Sequence, residues 1–252
     1  MEEFIKETII DGVLSAGRTI KKIEEKGFND RSSVSDFDYG IPADKQSEQI
    51  ILEAIKKSWL KCSIVSEEST EVKSDSEYKV FIDPLDGSVN FSKGIPEFCI
   101  GIGIFSKNDP VLGIIYDPNR DELFVAEKDK GITVNGNKIA ADIAQENILI
   151  NLEWFGAPDY CQIAIKLKEN KIRARTMGCG VLALCYGAIG RGDGTILIQN
   201  RPWDIAPGMA FVKEAGIIIK QFDGTEIDLN KDKIDAIATP KEISEKIQNI
   251  VK

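Results

Sequence analysis

One segment, residues 98–106 with the sequence FCIGIGIFS, constrains the fold more than any other part of the chain. Its odd and even positions are both apolar, which is the pattern of a strand that is buried on both faces. A strand with one face in water would alternate apolar and polar residues instead. We therefore predict a central strand with other elements packed on both of its faces.

Periodicity and turn signals predict the elements of the first 140 residues. Apolar residues recur at helical spacing over residues 4–23, and Gly27 is typical of a helix end. The polar segment 29–40 predicts a loop, and Pro42 lies where a second amphipathic helix should begin. Short strands are expected at 62–65 and 79–83, with hairpin turns at 117–119 and 135–136.

Past about residue 140, helices and strands alternate, which is typical of an α/β architecture. We therefore predict two subdomains, an α+β part at 1–140 and an α/β part at 141–252, with a cleft at the seam. The predicted helices are 160–170, 180–190, 204–216 and 241–252, and the predicted strands are 148–152, 172–177, 195–199, 216–222 and 235–239.

The chain of 252 residues contains no histidine. This excludes the serine–histidine–aspartate triad, the cysteine–histidine pair, most zinc sites and acid–base chemistry by imidazole. Catalysis must therefore rest on carboxylates, hydroxyls, amides, thiols, lysine or arginine. The net charge of -9 argues against nucleic acid or an anionic membrane as the main partner, so an anionic substrate would need a metal ion beside it.

Cysteine usage and the N-terminal sequence favour a cytoplasmic location. The five cysteines are odd in number and form no CxxC pair, which is typical of reduced thiols. The N-terminal sequence MEEFIKETII is acidic and lacks the apolar core of a signal peptide. No apolar run approaches the ~20 residues that a membrane span requires.

The motif FIDPLDGSVNF at 81–91 places two aspartates at the end of a predicted strand. Pro84 restricts the preceding Asp83 to an extended conformation, so the strand is expected to end at Asp83. Asp86 follows after a glycine-permitted turn, and Ser88 should open a helix. Two carboxylates this close repel each other, and Mg²⁺, which prefers hard oxygen ligands, would relieve the repulsion. A capped turn without a ligand is the simpler alternative.

Two further acidic positions lie at the ends of predicted elements. Glu67 follows a short apolar strand in IVSEES, and Asp204 begins a helix in RPWDIAPG. Capping of that helix is an alternative role for Asp204, and it is compatible with a ligand role. Three acidic clusters that each follow apolar residues are difficult to explain as solvated surface.

These motifs resemble the metal-site signatures of the inositol monophosphatase family, the Mg²⁺-dependent, lithium-sensitive phosphatases that include fructose-1,6-bisphosphatases. The resemblance rests on Glu67 in SEES, on DPLDGSVNF at 83–91 and on WDIA at 203–206. GxxVNG at 131–136 and EAG at 214–216 also resemble the family pattern, so the resemblance covers essentially the whole chain. It implies a layered α-β-α-β-α sandwich.

The resemblance implies two Mg²⁺ sites that share one aspartate. The first would use Glu67, Asp83 and the backbone carbonyl of Leu85, and the second would use Asp83, Asp86 and Asp204. A third, weaker site would combine Glu67 with an acid of the preceding loop, and the candidates for that acid are Asp38 and Asp44.

The implied reaction is hydrolysis of a phosphate monoester by a water that the metals activate. Glu67 and Ser88 would help to deprotonate this water, and Asp44 would orient the catalytic hydroxyl. Stabilisation of a first helical turn is the alternative role for Asp44. The family usually has threonine at the Ser88 position, and serine keeps the hydroxyl without the methyl group that restricts its rotamer. The substrate phosphate would contact Asp86, Gly87, Ser88 and Asp204.

The segment RTMGCGVLALCYG has two interpretations. Two glycines before a helix match a dinucleotide fingerprint, but the next strand, TILIQN, ends in amides and lacks the expected acid. In the phosphatase family the corresponding turn lines the substrate pocket. By that resemblance, Gly178, Cys179 and Gly180 would contact the leaving group.

One position departs from the family pattern. Animal-type members carry a glutamate seven residues before the metal aspartate, where it binds substrate hydroxyls, and this chain has Leu197 there. Direct recognition of inositol by that position is therefore not expected. Arg175 and Arg201 are candidates for binding a second phosphate instead, and an exposed strand-end charge is the alternative for Arg175.

The favoured function is a phosphatase of a small sugar or polyol phosphate, such as inositol 1-phosphate or fructose 1,6-bisphosphate. Another substrate in the same superfamily, 3′-phosphoadenosine 5′-phosphate, is an alternative. A haloacid-dehalogenase-type phosphatase would need an Asp-x-Asp motif and a covalent aspartyl-phosphate. A non-catalytic module that binds metal, phosphate or a dinucleotide is the alternative of another class. The resemblance also implies a homodimer.

Overall fold

Helices and sheets alternate through the protein in five layers, with a helix layer between two sheets. The computed structural model describes residues 1–25, 42–140, 147–154, 156 and 160–251. The helices are α1 (Glu3–Glu25), α2 (Pro42–Lys57), α3 (Ser88–Lys93), α4 (Tyr160–Glu169), α5 (Gly180–Ala188), α6 (Pro202–Glu214) and α7 (Lys241–Val251). The strands are β1 (Ser63–Ser66), β2 (Tyr78–Asp86), β3 (Cys99–Ser106), β4 (Asp109–Asp117), β5 (Glu122–Glu127), β6 (Gly131–Val134), β7 (Asn137–Ile139), β8 (Leu149–Trp154), β9 (Arg173–Arg175), β10 (Gly194–Asn200), β11 (Ile218–Gln221) and β12 (Ile234–Thr239).

The first sheet contains β1 to β7 in chain order. β1 is parallel to β2, and each later pair of neighbours is antiparallel. Helices α1 and α2 cover the outer face, where Ile100, Ile102 and Ile104 of β3 are fully buried. These isoleucines share a face because side chains of a strand alternate with a period of two.

The inner face of β3 explains the glycines in FCIGIGIFS. A Cβ atom at Gly103 would lie 2.6 Å from the backbone of Ala206, and one at Gly101 would lie 2.9 Å from Pro207, both in α6. These distances are shorter than van der Waals contact, so glycine allows α6 to pack directly on the sheet. The predicted central strand, covered on both faces, is confirmed.

The second sheet has the order β11-β12-β10-β8-β9. β10, β8 and β9 are parallel, and β12 is antiparallel to both of its neighbours. Helices α5 and α6 pack between the two sheets, while α4 and α7 cover the outer face of the second one. The predicted α-β-α-β-α sandwich is therefore confirmed.

The end of β2 differs from the prediction. The sequence predicts a strand end at Asp83, but β2 continues through Pro84 to Asp86. Asp83 pairs with Gly101 and Asp86 pairs with Cys99, so β2 has one extra residue there and forms a bulge. A bulge is one of the few places inside a sheet where proline is tolerated.

Several other predictions fall on residues that the structure does not describe or on boundaries that it does not test. Gly27, the loop at 29–40 and Asp38 lie outside them. The division into 1–140 and 141–252 stays a prediction, although the first sheet ends at Ile139 and the second begins in β8. Among the described residues, every helix is either too short or too polar to cross a lipid bilayer.

Candidate active site

A cavity of about 650 Å³ opens where elements of both sheets meet the central helices. Residues from β2, β8, α5 and α6 contribute to its walls. The cavity thus brings together segments that are far apart in the chain. The predicted site residues that line it are Asp44, Glu67, Asp83, Leu85, Asp86, Gly87, Ser88, Gly178, Cys179, Gly180, Arg201 and Asp204.

The bulge in β2 brings both aspartates of the DPLDGS motif to the cavity. In a regular strand, residues three apart point to opposite faces of the sheet. The extra residue in the bulge corrects this mismatch, so Asp83 and Asp86 line the same cavity. The N–H of Leu85 donates a hydrogen bond to Oδ1 of Asp83 at 3.1 Å, which holds the bulge together.

A tight turn leads from the bulge into helix α3. Gly87 has φ +85°, and a Cβ atom there would lie 2.6 Å from the carbonyl oxygen of Glu97. Both the left-handed backbone and the lack of space favour glycine at this position. Helix α3 begins at Ser88, as predicted, and Ser88 is half-buried in the cavity wall.

Glu67 and Asp204 reach the cavity from two other elements. Glu67 follows β1, and its N–H donates to the carbonyl oxygen of Ile82 at 3.4 Å. Asp204 lies in the first turn of α6, and its Oδ2 accepts the N–H of Arg201 at 2.7 Å. Asp204 therefore takes part in capping, as predicted, but it does so from the third position of a helix that begins at Pro202 rather than at Asp204. Its carboxyl group also lies within hydrogen-bonding reach of Asp83.

Glu67, Asp83, Asp86 and Asp204 form one side of the cavity, which we name the acid wall. Loss of hydration, followed by repulsion from the other three carboxylates, raises the pKa of Asp83 well above its ordinary value. Loss of hydration is also the largest cause that raises the pKa of Asp86 and Asp204. Glu67 is exposed at the rim of the cavity lining, yet loss of hydration and then repulsion from Asp204 raise its pKa too.

The acid wall fits a hard divalent cation. Its donors are carboxylate oxygens, which are the ligands that Mg²⁺ prefers in proteins. Within the part of the chain that the structure describes, no lysine or arginine forms an ion pair with these four carboxylates. Buried carboxylates with raised pKa and no cationic partner are a common arrangement for a metal site.

The opposite side of the cavity is built around Glu153, which sequence reasoning missed. We call this side the turn wall, and it consists of Glu153, Gly178, Cys179 and Gly180. The carboxylate of Glu153 accepts the N–H of Met177 at 2.7 Å and the N–H of Gly178 at 2.9 Å. Burial raises the pKa of Glu153 to about 7, although these two hydrogen bonds act in the opposite direction.

Glu153 lies beside the position of Leu197 in the second sheet. β8 and β10 are parallel neighbours, and Glu153 pairs in register with Leu197. Paired residues of neighbouring strands face the same side of a sheet. Leu197 is buried in the core, whereas Glu153 lines the cavity one strand away. A charged residue at the end of the apolar run ILINLE was the signal in the sequence that could have identified it.

Asp86 connects the two walls. Its Oδ2 accepts the N–H of Val181, in the first turn of α5, at 2.6 Å. The thiol of Cys179 lies 3.0 Å from the same oxygen. The N-terminal end of α5, where a dinucleotide fingerprint would bind a pyrophosphate, therefore already receives a carboxylate of the protein itself. This arrangement argues against the dinucleotide interpretation.

Asp44 lies in the first turn of α2 and is buried in the cavity wall. The neighbouring Ser47 donates a hydrogen bond from Oγ to the carbonyl oxygen of Pro84 at 2.6 Å. This bond fastens the start of α2 to the bulge of β2. Asp38, the other candidate for a third metal site, lies outside the described residues.

The two arginines predicted to bind a second phosphate lie in different environments. Arg175 does not line the cavity, because its Nε donates to Oδ1 of Asn151 at 3.0 Å and its guanidinium also contacts the carbonyl oxygen of Arg191. Its expected contact with substrate is therefore not supported. Arg201 does line the cavity, and its guanidinium forms an ion pair with Asp232.

The five-layered fold and the acidic cavity together define the class of layered α-β-α-β-α phosphatases. A family model described as the inositol monophosphatase family matches residues 3–252. This chain belongs to the inositol monophosphatase family.

Individual relatives carry different names. A curated relative from Pasteurella multocida, named Nus factor SuhB, is 34% identical over 250 residues, which cover 93% of this chain and 94% of the relative. A fructose-1,6-bisphosphatase from Pyrococcus furiosus is 35% identical over 204 residues, which cover 79% of this chain and 78% of the relative. The crystal structure of an extragenic suppressor protein, suhB, from Bartonella henselae has a TM-score of 0.87 at 29% identity and covers 98% of each chain.

Proposed function

We propose that the protein is a Mg²⁺-dependent phosphate monoester hydrolase that acts on a small sugar or polyol phosphate. The observation that carries this proposal is the acid wall, in which carboxylates from β2, α6 and the end of β1 share one cavity and, among the described residues, form no ion pair with lysine or arginine. Membership of a family that includes phosphatases supports the same reaction class.

Magnesium ions would be held by the acid wall together with the backbone carbonyl of Leu85, which also lines the cavity. Glu67, Asp83 and Leu85 would hold one ion, and Asp83, Asp86 and Asp204 would hold the other. When bound, these ions lower the pKa of water and stabilise the negative charge of the attacking and leaving oxygens. The same cations allow a protein with a net charge of -9 to bind an anion.

The protein's own groups would then move protons and orient the substrate. The Glu67 carboxylate would accept the proton of the attacking water, and the Ser88 hydroxyl would orient this water by a hydrogen bond, because both groups line the cavity. The buried Asp44 would orient the Ser88 hydroxyl. The N–H groups of Gly87 and Ser88 would donate hydrogen bonds to the phosphate.

The turn wall would receive the leaving group. Glu153 holds Met177 and Gly178 by two backbone hydrogen bonds, so the turn has a defined shape before substrate binds. We propose that the remaining acceptor capacity of Glu153 binds a sugar or polyol hydroxyl, in place of the glutamate that animal-type relatives carry at the Leu197 position. The named fructose-1,6-bisphosphatase relative supports a bisphosphate among the substrates.

The test is a panel of phosphate esters with the metal-free full-length protein. Phosphate release is measured from inositol 1-phosphate, fructose 1,6-bisphosphate and 3′-phosphoadenosine 5′-phosphate, with and without Mg²⁺. We expect release from a sugar or polyol ester that requires Mg²⁺, with inhibition by lithium, and no release by the Asp86→Asn variant. Absence of Mg²⁺-dependent release from every ester would favour a non-catalytic binding module.

The mode of attack separates this proposal from a haloacid-dehalogenase-type mechanism. We expect no phosphorylated protein after acid quenching, because water attacks the ester without a covalent intermediate. A trapped aspartyl-phosphate would contradict direct attack by water. We also propose a homodimer, which sedimentation at several protein concentrations would test.

A further inference from the structure

Two thiols and one carboxylate meet behind the acid wall. The ligand atoms of Asp86, Cys99 and Cys179 all lie within 4.8 Å of one another. The two sulfur atoms are 3.7 Å apart, and the sulfur of Cys179 is 3.0 Å from Oδ2 of Asp86. The proposed Mg²⁺-dependent reaction assigns no bond-making or proton-transfer step to either sulfur atom, so the close approach of the two thiols calls for a separate explanation.

The spacing of the two sulfur atoms fits a shared tetrahedral cation. Zn²⁺ binds thiolates at about 2.3 Å, so two sulfur ligands of one tetrahedral ion lie roughly 3.8 Å apart. Cys99 and Cys179 already have this separation. A disulfide would require an S–S distance of about 2.05 Å, and both cysteines are free in the structure. In the structure the two thiols form a hydrogen bond at this distance, which also suits two sulfur ligands of one ion.

Access from the cavity favours the same interpretation. Cys179 and Asp86 line the cavity, which supplies an entry route and room for a water as fourth ligand. Cys99 is fully buried behind them at the start of β3. Binding would release the two thiol protons to solvent and leave two thiolates and one carboxylate around the ion. Thiolate ligands select zinc-like cations over Mg²⁺, which prefers oxygen.

We propose that Asp86, Cys99 and Cys179 form a second cation site, selective for thiophilic divalent ions such as Zn²⁺. The site shares Asp86 with the proposed Mg²⁺ ligands, so one carboxylate serves two competing cations. Occupancy by a thiophilic ion withdraws Asp86 from magnesium and inhibits turnover. The binding part of this inference is independent of phosphatase activity, while the inhibition rests on the proposed function.

The experiment titrates the metal-free, fully reduced protein with Cd²⁺, a thiophilic probe whose bonds to thiolates absorb in the ultraviolet. We expect the wild-type protein to develop this absorption at one equivalent of Cd²⁺, even in excess Mg²⁺. The Cys99→Ala variant removes one of three protein ligands and should bind Cd²⁺ more than about tenfold more weakly. Cys185→Ala is the matched control, because Cys185 is also a fully buried cysteine of the same core cluster.

Two results would overturn the inference: no thiolate absorption in the wild-type protein, or absorption that is unchanged in Cys99→Ala. Thermal unfolding shows whether Cys99→Ala is folded, and Cys99→Ser serves as a second variant if it is not. Titration of Cys161→Ser identifies any signal from the exposed thiol.

If Cd²⁺ binds through Cys99 but no ester is hydrolysed, the cation site stands and the proposed function fails. If turnover is observed but Zn²⁺ inhibits wild type and Cys99→Ala equally, the competition at Asp86 is wrong.

Discussion

The acid wall and the turn wall face each other across one cavity, yet their carboxylates are stabilised in different ways. The four carboxylates of the acid wall have no ion-pair partner among the described residues, and each has a raised pKa. Asp83, Asp86 and Asp204 each accept a backbone N–H, but they lie in one cluster and repel each other, whereas Glu153 in the turn wall is a single buried carboxylate that two backbone N–H groups bind. The acid wall therefore needs a cation for stability, whereas the turn wall is complete without one.

This difference shows that burial of an acid does not by itself identify its role. Backbone hydrogen bonds to both oxygens of one carboxylate indicate that it shapes its surroundings. Carboxylates that repel one another and form no ion pair indicate a binding site for a cation. Asp86 combines both situations, because one of its oxygens binds the start of α5 while its pKa is still raised.

The largest effect is expected from removing charge from the acid wall. Asp83→Asn and Asp204→Asn should each lower Mg²⁺-dependent turnover by about 10³-fold, since a metal contributes several kcal/mol to transition-state stabilisation. Steady-state phosphate release measures the effect. Asp232→Asn is the matched control, because Asp232 is an exposed partner of Arg201 near the same helix end. Near-normal turnover in either acid-wall variant would refute the assignment of the metal ligands.

A smaller loss is expected at the hydroxyl beside the acid wall. Ser88→Ala should lower kcat by roughly 100-fold, which is typical for loss of a group in acid–base catalysis. Ser88→Thr keeps the hydroxyl and should retain activity close to that of the wild type. Equal activity of Ser88→Ala and Ser88→Thr in kcat measurements would mean that the hydroxyl has no catalytic role.

The turn wall should respond more mildly than the acid wall. Glu153→Gln replaces one acceptor oxygen by an N–H₂ group that faces a backbone N–H, so the turn at Gly178 should shift. We expect kcat/KM for a sugar phosphate to fall by about tenfold, as for other groups that orient a site. Glu169→Gln, at the end of α4, controls for the loss of a charge. An effect as large as that of Asp83→Asn would abolish the distinction between the walls.

The metal-free protein should lose stability as pH rises. Folding raises the pKa of Asp83 and Glu67 above the ordinary values of 3.8 and 4.5. The folded state therefore binds more protons than the unfolded one, and stability present below about pH 4 is lost as pH increases through the raised values. Thermal unfolding measures this loss of stability, because a change of 1 kcal/mol in the free energy of unfolding shifts the melting temperature by about 2–4 °C. Asp83→Asn should be more stable than wild type at pH 7 without metal, and Mg²⁺ should raise the melting temperature of wild type alone.

The smallest effect is expected at Arg175, which lies outside both walls. Its guanidinium binds Asn151 and the backbone of Arg191, so Arg175→Ala should change KM for fructose 1,6-bisphosphate by less than about twofold. Arg201→Ala is the informative comparison, because Arg201 lines the cavity. A large KM increase in Arg175→Ala alone would mean that the arginine turns toward the cavity when substrate binds.

Sequence motifs were sufficient to nominate the acids of the acid wall, because each of its three segments places an acid at the end of an apolar element. The spacing of Asp83, Asp86 and Ser88 requires a strand, a turn and a helix start in immediate succession, and the apolar pattern of residues 98–106 requires a covered sheet beside them. The structure confirms that these residues share a cavity with Asp204, and the family comparison agrees with the predicted fold.

The bulge was not predictable in the same way, because a proline after Asp83 favours an extended residue without specifying how β2 pairs with β3. The turn wall and the thiol pair depend on contacts between distant parts of the chain. Glu153 faces the cavity because β8 lies beside β10, and Cys99 meets Cys179 because α5 packs on the first sheet. Local propensity carries no information about contacts between residues that are distant in the chain. The packing of the two sheets against the central helices therefore determined the position of Glu153 and the contact between Cys99 and Cys179.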